Sequence, residues 1–101
     1  MAFVRAISKS DVAPGTIQEV LIGEKSIALA NVEGKFFAIN NVCLHRGGPL
    51  CEGELDRQVV TCPWHGWQFD VTNGQLVSNS AVTTECYPVE IRGDDVFVDV
   101  G

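Results

Sequence analysis

Short apolar runs separated by turn residues pattern this chain from end to end. Runs rich in Val, Ile and Phe recur about every eight to twelve residues and are broken by Gly, Asn, Asp or Pro, a spacing that predicts strands rather than helices. Residues 16–22 and 26–32 read as strands around Gly23-Glu24-Lys25, and 35–40 follows across Glu33-Gly34. Together they predict an antiparallel meander. Residues 87–92 and 96–100 flank Gly93-Asp94-Asp95 as a closing hairpin, with Pro88 near a strand start, where its missing N–H is tolerated. Residues 8–12, ahead of Ala13-Pro14-Gly15, are expected to hold one helical turn, because Ser and Asp favour helix starts. The fold class is therefore all-β, an antiparallel sandwich or partly open barrel.

Between about residues 41 and 82 the composition changes: both Trp, both His and five of the ten Gly residues fall there. No repeat, low-complexity tract or linker sets this stretch apart, so it reads as a small subdomain inserted into a single domain spanning 1–101.

Composition narrows the class. A hydrophobic fraction of 46% with 20% charged residues is that of a globular chain. No apolar run approaches the roughly 18 residues of a membrane span, and the N-terminus lacks the apolar stretch of a signal peptide, so a cytoplasmic protein is expected, with no membrane partner. The net charge of −6 argues against nucleic acid and leaves two readings, solubility or steering toward a basic patch on a protein partner.

The candidate chemistry lies in Cys43-Leu44-His45 and in Cys62-Pro63-Trp64-His65, with sixteen residues between His45 and Cys62. Each cluster offers one thiolate and one imidazole, and the two together contain both His residues of the chain. Metal ligation is the reading these residue types support. Ligand identity alone leaves a structural zinc site open, because zinc also accepts two Cys and two His.

The wider sequence resembles the two cluster-binding loops of Rieske proteins, through Cys43-Leu44-His45-Arg46-Gly47-Gly48-Pro49-Leu50, then Cys62-Pro63-Trp64-His65-Gly66-Trp67-Gln68-Phe69-Asp70, and Gly74. The resemblance implies a Rieske fold and one 2Fe-2S cluster per chain, with Cys43 and Cys62 on one iron and His45 and His65 on the other. Gly47, Gly48 and Gly66 are expected to bring backbone N–H groups to cluster sulfurs, and Asn73-Gly74 to form a hairpin turn. Leu44, Pro63, Trp64 and Trp67 are expected to keep water from the cluster or to form core beside it. The Rieske proteins of respiratory complexes carry a loop-bridging disulfide and a Ser hydroxyl where this chain has Gly48, Trp64 and Trp67. The chain therefore resembles the lower-potential branch of soluble ferredoxins. Cys51 and Cys86 are expected to be buried apolar fillers without a role.

The same loops resemble the Rieske domains of ring-hydroxylating oxygenases, whose second, mononuclear iron needs two His and a carboxylate. Both His residues here are spent on the cluster, and no G-x-G-x-x-G run for a nicotinamide or flavin occurs. The resemblance then implies a monomeric one-electron carrier, not itself an enzyme, that docks transiently with a ferredoxin reductase and a terminal oxygenase of the aromatic-ring dioxygenase type. The alternatives are the ferredoxin of a di-iron monooxygenase, the small subunit of a nitrite reductase and, from a different class, a zinc-stabilised binding module.

Overall fold

The computed structural model describes residues 3–42, 48–64 and 66–100. Twelve strands form within them: β1 (Phe3–Ser8), β2 (Ile17–Ile22), β3 (Lys25–Val32), β4 (Lys35–Asn40), β5 (Glu54–Asp56), β6 (Val59–Thr61), β7 (Gln68–Asp70), β8 (Gln75–Leu76), β9 (Asn79–Thr83), β10 (Cys86–Tyr87), β11 (Val89–Arg92) and β12 (Asp95–Asp99). They make three antiparallel sheets, ordered β1-β12-β11, β10-β4-β3-β2 and β5-β6-β7-β8-β9. None of the three closes into a barrel, and among the described residues no helix is long and apolar enough to cross a membrane.

The expected meander is the middle layer. Strand β3 is buried from Ile27 through Asn31 without a break, the signature of a strand covered on both faces. Ile27 and Leu29 point into one apolar cluster with Val12, Val20, Val96 and Val98, while Ala28 and Ala30 point into a second with Ile39, Leu50, Val60, Cys62, Phe69, Val71 and Leu76. Small residues face large ones along the β3–β4 ladder, in the pairs Ala28↔Ile39, Leu29↔Ala38 and Ala30↔Phe37. That alternation fills both faces without crowding either. The first cluster cements β12 and the 3₁₀ turn region to the meander; the second cements the five-stranded sheet to it.

Residues 9–11 form the single turn expected there, as a 3₁₀ turn without a side-chain cap. The expected strand 87–92 is divided. Cys86–Tyr87 pairs with β4, whereas Val89–Arg92 pairs with β12. Pro88 sits at the division, where its lack of an N–H ends one ladder and its carbonyl accepts a hydrogen bond from the Asp99 N–H at 3.1 Å.

Candidate metal centre

The first loop leaves β4 through Asn41 and Val42, and its two ends are tied together. Val42 and Pro49 form an isolated antiparallel bridge, and the Leu50 N–H donates to the Asn41 carbonyl at 2.8 Å. A 3₁₀ turn, Leu50–Glu52, follows, with Leu50 fully buried in the second cluster. Asn41 is itself buried, and its side chain is saturated. Its Oδ1 accepts the Cys51 N–H at 2.7 Å, and its Nδ2 donates to Ser26 Oγ at 3.0 Å and to Glu19 Oε2 at 3.4 Å.

The second loop is the turn between β6 and β7. The Cys62 N–H donates to the Trp67 carbonyl at 2.7 Å, and the Gly66 N–H donates to the Cys62 carbonyl at 3.0 Å. Gly66, expected to serve a cluster sulfur, thus uses its N–H to close the turn. A positive φ of 76° lets the chain reverse there.

The two loops meet at Gly48. A Cβ built on Gly48 would lie 3.1 Å from Cys62 Sγ and 2.9 Å from Trp64 Cγ. A methyl group there would have to push the Trp64 ring aside. Cys62, 1% exposed, is part of the core, so its thiol faces the first loop from a water-free side. Cys43, His45 and His65, with Leu44 and Gly47, lie outside the described residues. Cys62 is the one expected ligand whose surroundings are described, and a buried soft sulfur opposite Gly48 of the other loop fits an iron–sulfur centre.

Among the described residues, the expected apolar wall is only partly present. Trp67 is half-buried, packs against the core cluster and lies 6.4 Å from the Phe69 ring. Pro63 is exposed, and Trp64, 58% exposed, projects into solvent after crossing Gly48. The loop turns Trp64 outward because Cys62 and Trp67 occupy the inner positions. Beside Cys62, Pro63 and Gly66 runs an open groove of about 440 Å³ whose rim carries Glu52 and Glu54.

Neither spare cysteine is a buried filler. Cys51 is half-buried; burial pushes its thiol pKa up, aided by Glu19 and Glu52 and opposed by its hydrogen bond to Asn41. Cys86 is exposed as a residue because it lies on the short outer strand β10, although its Sγ sits 2.7 Å from where a Cβ of Gly74 would be. Burial and then the Asp70 charge raise its pKa. The sequence reading missed Asn41, Ser26 and Glu19. Nothing local marks them, since Asn41 meets its partners across 10, 15 and 22 residues of chain.

Comparison with known proteins gives the same family as the loops. The chain is 37% identical over 101 residues to the ferredoxin component of biphenyl 2,3-dioxygenase from Rhodococcus jostii (strain RHA1), covering 99% of this chain and 94% of that one. It is 31% identical over 99 residues to the ferredoxin component of the naphthalene 1,2-dioxygenase system of Pseudomonas putida, covering 97% and 95%. Among solved structures, a chain in a complex of reduced oxygenase and oxidized ferredoxin in carbazole 1,9a-dioxygenase superposes with a TM-score of 0.87 at 34% identity, covering 95% of this chain and 91% of that one. The family model described as the Rieske [2Fe-2S] domain matches residues 2–88, and the chain belongs to that family, whose cofactor is one 2Fe-2S cluster.

Proposed function

We propose that this protein is the one-electron carrier of a multicomponent oxygenase system, taking electrons from a reductase and delivering them to a terminal oxygenase that acts on aromatic rings. The observation that carries the reading is the meeting of the two loops, where the buried Cys62 thiol faces Gly48 across a gap that a methyl group would fill. Cys43 and Cys62 would hold one iron and His45 and His65 the other. When bound, the cluster accepts and releases one electron.

The segment from about 41 to 82 serves as the cluster-binding subdomain of one domain spanning 1–101. Its own residues do the rest. Leu50, Phe69 and the half-buried Trp67 shield the inner side of Cys62, while Pro63, Trp64 and Gly66 of the second loop are exposed to a partner. Full-length similarity to two dioxygenase ferredoxin components supports a separate carrier rather than the oxygenase itself. Free Cys51 and Cys86 suit the reducing cytoplasm.

Protein purified without oxygen is expected to hold about two irons and two inorganic sulfides per chain and to be red-brown. Mixed with a cognate terminal oxygenase, the reduced form is expected to be reoxidised in one-electron steps. One zinc per chain and no sulfide would refute the cluster, and an intact cluster that the oxygenase cannot oxidise would refute the carrier role.

A further inference from the structure

We infer that Asn41, backed by Ser26 and Glu19, is a positioning residue for the first cluster-binding loop and thereby helps set the cluster's potential and retention. This role rests on the proposal that the two loops hold a 2Fe-2S cluster. Three features of the loop support it.

First, Asn41 holds both ends of the loop at once. It stands two residues before Cys43, its backbone carbonyl accepts the Leu50 N–H and its side-chain oxygen accepts the Cys51 N–H, so the segment re-entering the fold after Gly48 is fixed to the segment leaving it. Second, the amide itself is held. The Asn41 N–H donates to the Ser26 carbonyl at 3.1 Å, its Nδ2 reaches Ser26 Oγ and Glu19 Oε2, and Ser26 Oγ in turn donates to Glu19 Oε2. Strands β2 and β3 of the middle sheet therefore lock the rotamer, and the amide cannot flip without stranding a buried donor. Third, the fit is tight at the point where the loops meet, since a Cβ on Gly48, two residues before Leu50, would stand only 3.1 Å from Cys62 Sγ. Any drift of residues 50–51 moves Gly48 relative to that sulfur, and backbone N–H groups close to cluster sulfurs stabilise the reduced form.

A purely structural Asn is available as a control in the same chain. Asn31 is also buried, and both ends of its side-chain amide are also held, Nδ2 donating to the Val12 carbonyl and Oδ1 accepting the Gly34 N–H, both at 2.8 Å. Those segments carry no expected ligand. Asn41→Ala and Asn31→Ala should lose comparable stability, yet only the first should alter the metal centre.

The test compares the holo forms of the wild type, Asn41→Ala, Ser26→Ala and Asn31→Ala by redox titration, by iron release to a chelator and by thermal unfolding. Asn41→Ala is expected to release iron about tenfold faster, the low end of the loss when a group that orients a metal site is removed, and to titrate at a lower potential. Ser26→Ala, which removes one support and leaves the packing intact, is expected to move the potential the same way by less, and it carries the test should Asn41→Ala not fold. Asn31→Ala is expected to keep the wild-type potential. Wild-type potentials in both Asn41→Ala and Ser26→Ala, with iron release no faster than in Asn31→Ala, would overturn the positioning role. Absence of iron and sulfide from the wild type would instead overturn the cluster reading on which it rests.

Discussion

At Gly48 a single missing methyl decides how the loops fit. Alanine there would put its Cβ against Trp64 Cγ and Cδ2 and against Cys62 Sγ, at 2.9, 3.0 and 3.1 Å. Cys62 is locked in the core and cannot yield, whereas Trp64 is mostly in solvent and can. Gly48→Ala should therefore cost about 1–3 kcal/mol, the usual penalty of overpacking. Most of that should return in the Gly48→Ala/Trp64→Ala double variant, where two of the three close contacts are gone. Unfolding free energies of the four proteins of this cycle give the answer, and strictly additive losses would show that the indole is not what Gly48 accommodates. At this scale the sequence was partly legible. Cys-x-His and Cys-x-x-His are local patterns and stand out unaided. The closeness of Gly48 to Cys62 was expected only in kind, and the outward turn of Trp64 not at all, because a chain pattern does not record which side of a loop a residue takes.

Among the elements, the meander and the closing hairpin were legible because their apolar runs of four to eight residues stand between clear turn signals. Four of the five strands of the third sheet are two or three residues long and were not, since so few residues define no period. That sheet depends on its turns. Between β7 and β8, Asp70 organises the turn: its Oδ1 accepts the Thr72 N–H and hydroxyl at 2.9 and 2.6 Å, its Oδ2 accepts Gln58 Nε2 at 2.8 Å, and its carbonyl accepts the Gly74 N–H at 2.7 Å. Gly74 is required there twice over, by a φ of 76° and by a Thr84 carbonyl oxygen 2.6 Å from where a Cβ would stand. Burial alone would raise the Asp70 pKa, but the hydrogen bonds from Thr72 and Gln58 outweigh it and hold the carboxyl below the usual 3.8. A depressed folded pKa stabilises the fold above the unfolded value and stops doing so as pH falls through the folded one. Asp70→Ala should thus cost about 1–2 kcal/mol at neutral pH, and the gap from wild type should narrow below about pH 4. Denaturant titrations at pH 7, 5 and 3 test this, and a gap that widens on acidification would contradict it.

For the molecule as a whole, what matters is which end a partner meets. The middle sheet carries a core on each face, and Cys62 of the second loop belongs to one of them while its neighbours Pro63 and Trp64 are exposed. Trp64 is the sole aromatic among the large exposed apolar side chains of the described residues, the others being Val4, Leu21, Val42, Val77 and Ile91. It belongs to the turn that holds Cys62, beside the groove rimmed by Glu52 and Glu54. An exposed indole is the kind of residue that dominates small interfaces, and an acidic chain of net charge −6 should be drawn to a basic patch over long range. These two contributions respond differently to salt. Charge steering should fade as ionic strength rises, so the second-order rate of electron transfer to a cognate terminal oxygenase should fall with added salt. Contact through Trp64 is short-ranged, so Trp64→Ala should lower that rate about tenfold at every ionic strength while leaving the salt dependence parallel to wild type. Measuring the variant's potential alongside separates lost docking from lost driving force. An undiminished rate at equal driving force would show that the partner does not read Trp64, and a flattened salt dependence would show that the substitution had disturbed the charged rim instead.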